Sequence, residues 1–117
     1  MRPRRILAAA LLAAALPGGA WAGVSAANFR REGLTGHADV TYTNDSEAVL
    51  SSVKVECVPP GVTDRRRHLN LYFSNHLGGG LPPGYAETRS VSFPLPDETA
   101  RPEDLACEAH ELPVKLP

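Results

Sequence analysis

Methionine occurs once in this chain, at Met1, and aromatic residues make up only 6% of it. A methionine-rich copper site is therefore excluded. The two cysteines, Cys57 and Cys107, form no C-x-x-C spacing, which argues against a redox or metal pair. No serine sits in a G-x-S-x-G elbow, and no two histidines stand as H-x-H or H-x-x-x-H. No internal repeat, coiled-coil heptad or amphipathic helical period of useful length is present. The longest apolar run, Ile6 to Leu16, has 11 residues, against the roughly 20 needed for a helix to cross a bilayer.

That short run has another explanation. It follows the basic head Met1-Arg2-Pro3-Arg4-Arg5, is broken by Pro17-Gly18-Gly19, and leads into the small-x-small triplet Ala20-Trp21-Ala22. This is the pattern of a secretory signal peptide, residues 1–22, with cleavage expected after Ala22. Residues 23–117 then form one small domain with no transmembrane segment. With the three leader arginines removed, nine basic residues face thirteen acidic ones, a formal charge of −4. That balance argues against nucleic acid and anionic membrane surfaces as bulk partners. An exported domain of this size usually benefits from a covalent staple, and Cys57 with Cys107 is expected to form one structural disulfide. It would close a loop of about 50 residues, worth on the order of 4 kcal/mol in the chain-entropy account.

The remainder alternates with a period of two. Leu34, Gly36, Ala38, Val40 and Tyr42 fall on one side of an extended segment, and Thr35, His37, Asp39, Thr41 and Thr43 on the other. Asn44-Asp45-Ser46 marks a turn, after which Val53, Val55 and Cys57 point inward, with Lys54 and Glu56 outside. Val24–Arg31 is a further candidate strand, with a turn at Glu32-Gly33. Leu69, Leu71 and Phe73 define another strand, and Val91, Phe93 and Leu95 another. Leu105, Cys107 and Ala109 face inward in the last, where Leu112, Val114 and Leu116 change phase and predict a bulge or a new short segment near His110-Glu111. Pro83-Gly84 suits a tight turn, and a single helical turn can begin near Pro102. About six short strands with regular turn signals predict an all-β, antiparallel, immunoglobulin-like sandwich with one disulfide; a small β-barrel is the alternative. The two cysteine strands are expected to be neighbours or to face each other across the core.

Gly36, Val40, Asn44, Ser46, Val53 and Val55, with Pro83-Gly84 ahead of Val91 and Phe93, form an order that resembles small exported bacterial β-sandwich domains of the FxLYD type. At the place of that family's naming motif this chain carries Cys57-Val58-Pro59-Pro60-Gly61. The resemblance implies a sandwich fold and an exported accessory role, and it implies no catalytic activity.

Chemistry-bearing residues are sparse. His37, His68 and His110 alternate outward, and His76 falls in a loop; the four are read as solvated, with no metal ligand assigned. The carboxylates lie on outward strand positions or in the polar Pro96–Asp104 bridge, with no sign of the cleft that paired acid and base need. No catalytic residue and no cofactor is therefore expected. Partner-binding candidates are the basic run Arg65, Arg66 and Arg67, and the loop holding His76, Leu77, Leu81 and Tyr85, where an exposed apolar patch with Tyr72 is expected. The expectation is a non-enzymatic binding or accessory domain, periplasmic or secreted, whose partner is another envelope or extracellular protein. The alternatives are a periplasmic metal-handling protein using surface histidines, and a small secreted enzyme inhibitor presenting the His76–Gly84 loop.

Overall fold

The computed structural model describes residues 23–75 and 78–113. The expected leader, and His76 and Leu77 of the expected partner loop, lie outside the described residues. Six strands are present: β1 (Val24–Glu32), β2 (Thr35–Thr43), β3 (Leu50–Val58), β4 (Leu69–Ser74), β5 (Ala86–Pro94) and β6 (Ala106–Pro113). Short 3-10 turns at Arg65–Arg67 and Pro102–Asp104 precede β4 and β6. The strands form two antiparallel three-stranded sheets, in the orders β1-β2-β5 and β4-β3-β6. β2 pairs with both β1 and β5, and β3 with both β4 and β6, which is an immunoglobulin-like order rather than a closed barrel.

The core follows from the alternation. Ala38, Val40 and Tyr42 of β2 face Val53, Val55 and Cys57 of β3, and Phe73, Phe93, Leu81 and Leu105 close the interior; all are buried. Gly36 belongs to this inward row for a steric reason. It lies opposite Phe93 in the sheet, and a Cβ placed there would sit 2.6 Å from the Phe93 ring. The glycine is the hollow that lets the ring lie against the strand. The edge strand β5 carries Glu87 and Arg89 on its inner side. Arg89 donates to Glu87 at 2.9 Å and lies 4.2 Å from the centre of the Phe73 ring. Inward-facing charge of this kind protects a sheet edge from pairing with other chains.

Cys57 and Cys107 are bonded and buried. They occupy directly opposed positions on neighbouring strands of one sheet, with Cα atoms 4.0 Å apart. In antibody domains the bridge spans the two sheets; here it locks β3 to β6. A second tie is Asn44, a polar residue buried at the end of β2. Its amide nitrogen donates to the carbonyls of Ala48 and Leu81, both at 2.9 Å. Its amide oxygen accepts from the Ser46 backbone N–H at 3.0 Å and hydroxyl at 2.7 Å. Among the described residues no buried side-chain polar atom lacks a hydrogen-bond partner.

Three expectations need correction. Leu34 is not on the inner row: it sits in the β1–β2 turn, 50% exposed. Its carbonyl accepts from Leu95 N–H at 2.8 Å, so backbone pairing rather than burial fixes its position. β6 runs unbroken through His110-Glu111, and the irregularity lies on β3, between Leu50 and Ser52. Leu112 consequently points outward, 58% exposed. Leu81 belongs to the core, fully buried, because its backbone makes a two-bond bridge to Leu50, at 2.7 and 3.0 Å. The tight turn at Pro83-Gly84 is present: Tyr85 N–H donates to the Pro82 carbonyl at 3.0 Å, and Gly84 has φ +85°.

Candidate functional site

The outward positions of β4, β3 and β6 fall into register as rungs. Ser74, Ser52 and Leu112 form one, Tyr72, Lys54 and His110 the next, and Asn70, Glu56 and Glu108 the third. Outward side chains in adjacent rungs are diagonal neighbours, which brings His110 to Glu56. His68 reaches the same carboxylate by a different route. Asp64 caps the Arg65–Arg67 turn by accepting from Arg66 N–H at 3.0 Å, and His68 N–H closes the turn on the Arg65 carbonyl at 3.2 Å. The imidazole of His68 is thereby held over β3.

Glu56 is the centre of the cluster. Its Oε2 accepts from Nδ1 of His68 at 2.7 Å, and its Oε1 lies 3.4 Å from Nε2 of His110. The hydrogen bond from His68 holds the Glu56 carboxyl below its usual range, with the charge of Lys54 adding in the same direction. His68 and Glu56 side chains are only 13% and 16% exposed, so both are held in place. Glu56, Val58, Arg65, His68, Ala106, Glu108 and His110 surround a shallow concavity of about 410 Å³. A second, of about 440 Å³, adjoins it at His110 and is bounded by Ser52, Lys54, Tyr72 and Leu112.

The other candidates are dispersed. Arg65 borders the Glu56 concavity, Arg66 pairs with Asp64 at 3.4 Å, and Arg67 borders a separate hollow beside Pro60 and Pro96. The basic run is therefore not one anion-binding patch. Among the described residues the expected apolar patch is not assembled: Leu81 is in the core, and Tyr85 is half-buried with its hydroxyl bonded to Glu87. Tyr72 is exposed, but on the outer face of β4, beside Lys54 rather than Tyr85.

The outer face of β1-β2-β5 is of a different kind. Thr35, Thr41, Thr88, Ser90 and Ser92 cover it with hydroxyls, and Thr41 is bonded to Thr88 at 2.7 Å. Asp39 accepts from Asn28 and Ser90, each at 2.9 Å, which keeps its carboxyl low. His37 bridges Ser92, at 3.0 Å from Nδ1, and Glu32, at 2.9 Å from Nε2. This serine–imidazole–carboxylate chain lies on an open strand face, with Glu32 81% exposed. The backbone of the central strand β2 is used by its neighbours on both sides. Acyl transfer needs donors converging on an oxyanion and shelter from water, and this face supplies neither.

Sequence reasoning missed Glu56, Glu108, Lys54 and Leu112 as members of a site. The only available signal was their outward phase, which does not say which outward residues meet. No family model, no curated protein and no solved structure matches this chain.

Proposed function

We propose that this chain is an exported, non-enzymatic binding module of the bacterial envelope, and that its partner docks on the outer face of the β4-β3-β6 sheet. The observation that carries this reading is the placement of Tyr72 and Leu112. These large apolar side chains, 64% and 58% exposed, flank one concavity on the same sheet face. Exposed apolar anchors beside fixed polar groups are what a protein-binding surface presents. Lys54, Arg65, Glu56 and Glu108 would supply the polar surround. The buried disulfide and the leader-like first 22 residues support export. The resemblance to FxLYD-type accessory domains supports the same setting. A presented loop, as in the inhibitor alternative, has less to offer, because Leu81 anchors that loop in the core.

Photo-crosslinking side chains placed in turn at positions 72, 112, 41 and 90, in cells that naturally make the protein, test the proposal. Positions 72 and 112 should give one shared adduct, and positions 41 and 90, on the opposite face, should give none. Adducts confined to the opposite face would refute it.

A further inference from the structure

Two three-stranded sheets leave four edge strands, β1, β5, β4 and β6. An edge strand carries a row of backbone N–H and C=O groups that can pair with another chain, and proteins protect such edges with charge, proline or a bulge. Three of the four edges have these devices. β1 has Arg30, Arg31 and Glu32, and a register shift between Ala27 and Arg30, where Asn28 takes φ +54°. β5 has Glu87, Arg89 and Pro94, and β6 has Glu108, Glu111 and Pro113. β4, Leu69-Asn70-Leu71-Tyr72-Phe73-Ser74, has no charged residue, no proline and no glycine, and its pairing with β3 is regular throughout. Among the described residues β3 is the only strand paired with it.

We infer that β4 is the edge through which two copies of this chain associate, pairing antiparallel along Leu69–Ser74 to make one six-stranded sheet. The strand is self-complementary. Its inward row, Leu69, Leu71 and Phe73, is apolar, and its outward row, Asn70, Tyr72 and Ser74, is uncharged and able to hydrogen-bond. Antiparallel pairing about a two-fold axis sets inward residues opposite inward ones. The registers of greatest overlap are then those centred on Leu71 and on Tyr72. Leu69 meets Phe73 in the first, Leu71 meets Phe73 in the second, and neither opposes like charges. Leu69 and Leu71 are only half-buried in the single chain, so a second β4 extends the core across this edge.

The direction of pairing follows from charge. Parallel strands would bring the Arg65–Arg67 turn against its own copy, whereas antiparallel strands set each turn at the far end, beyond Ser74 of the other chain. Six residues a side fall below the roughly 20–30 of a standard interface, so the dimer is weak, with a Kd on the order of 100 µM. The inference rests on the edge of β4 and not on docking to the outer face, and either can fail alone. A self-adduct from a crosslinker at position 72 has twice the mass of the chain, and position 112, on the far strand β6, should give none.

Sedimentation equilibrium of the purified protein, from about 5 µM to about 1 mM, tests the inference. The mass should rise from one chain toward two. Amide exchange of Leu69–Ser74 should slow over the same range while that of β1 and β6 stays constant. Asn70 faces Ser74 of the second copy in one register and lies diagonal to its own copy in the other. Asn70→Lys combined with Ser74→Lys should therefore weaken association by at least about tenfold. Both residues are exposed, so the melting temperature of that variant in dilute solution should match the parent's, which separates loss of pairing from loss of fold. Thr88→Lys, the same change on the β5 edge, should leave the dimer intact. The parent's mass and exchange pattern decide the matter even where a variant fails to fold. A single-chain mass up to about 1 mM, association unaffected by the double lysine variant, or exchange slowed at β6 rather than β4 would overturn the proposal.

Discussion

Replacing Asn44 with alanine removes the most connected polar side chain in the interior. Its amide makes four hydrogen bonds, to Ala48, Leu81 and twice to Ser46. The backbone at the same position pairs with Tyr85 and Gly84, both at 2.8 Å, so the side chain and main chain together join the β2–β3 turn to the segment entering β5. A net loss of 0.5–1.5 kcal/mol per bond would give roughly 2–6 kcal/mol. The lower half of that range applies. The Leu81 carbonyl still accepts from Leu50 N–H at 3.0 Å, and the Ala48 carbonyl from the Ser46 hydroxyl at 3.2 Å, so neither is left without a partner. The expected cost is therefore about 3 kcal/mol, or a melting temperature lower by roughly 12–24 °C for a domain of this size.

Urea unfolding measures the loss directly, with an unchanged slope confirming that the native fold is retained. Asn44→Asp sharpens the test. It keeps the acceptor for Ser46 but loses both donors and points a carboxylate at two carbonyl oxygens. Burial and those carbonyls raise the folded-state pKa of such an aspartate, so the variant should be worse than alanine at pH 7 and recover as the pH falls and the group becomes neutral. A loss below about 1 kcal/mol for the alanine variant, or equal stability of the two variants from pH 4 to pH 8, would refute the role assigned to this residue.

Other perturbations have equally definite outcomes. Gly36→Ala drives a methyl to 2.6 Å from the Phe93 ring and should cost about 1–3 kcal/mol. Shrinking the ring with Phe93→Leu should recover part of that cost in a double-mutant cycle. Replacing both cysteines with alanine should cost roughly 4 kcal/mol for a closed loop of 50 residues. A thiol reagent should find no reactive group in the unfolded, unreduced protein, and two equivalents of reaction would remove the bridge from the account. Arg31 donates to the carbonyls of Gly33, Ala100 and Asp97 at 2.9, 2.6 and 2.7 Å. Lysine cannot reproduce that fork, so Arg31→Lys should speed amide exchange around residues 97–100 while leaving β2 and β3 protected. Asp39, Glu56, Asp64, Glu87 and Asp97 all have carboxyls held below their usual range by hydrogen bonds. A lowered folded-state pKa gives stability that is present above the unfolded value and is lost as the pH falls through the folded one. Thermal stability should accordingly hold down to pH 5 and decline below about pH 4; a flat profile to pH 2 would contradict the assignment.

The strands and their inner faces are legible in the sequence because alternation is a local property. Ala38, Val40 and Tyr42 inside, with His37, Asp39 and Thr41 outside, follow from a period of two and nothing else. Leu81 shows where local reading stops. Its neighbours Gly78-Gly79-Gly80 and Pro82-Pro83-Gly84 have loop composition, yet two backbone bonds to a residue 31 positions earlier bury it. Leu112 shows a second limit. The apolar phase at Leu112 predicts a break in the last strand, but the irregularity lies on β3, between Leu50 and Ser52, where no proline or glycine marks it. The His68–Glu56–His110 cluster joins residues 12 and 54 positions apart. It depends on the register of β3 with β6 and on a capped three-residue turn, and neither can be read from spacing along the chain.

The two sheet faces argue for where function resides. On β1-β2-β5 the polar groups satisfy one another: Thr41 with Thr88, Asp39 with Asn28 and Ser90, His37 with Ser92 and Glu32. Such cross-strand pairs contribute a few tenths of a kcal/mol each to the sheet and leave little unmet. On β4-β3-β6 the opposite holds. Two carboxylates are opposed, two imidazoles share one of them, and Tyr72 and Leu112 stand exposed on either side of Lys54. Folding alone gains nothing from opposed carboxylates or from exposed tyrosine and leucine. Replacing Glu108 alone with threonine removes the repulsion and keeps the His68–Glu56 hydrogen bond, so it should leave the domain as stable or make it more so while weakening partner binding. If that variant instead unfolds, the opposed pair serves the scaffold, and the working surface must be sought elsewhere.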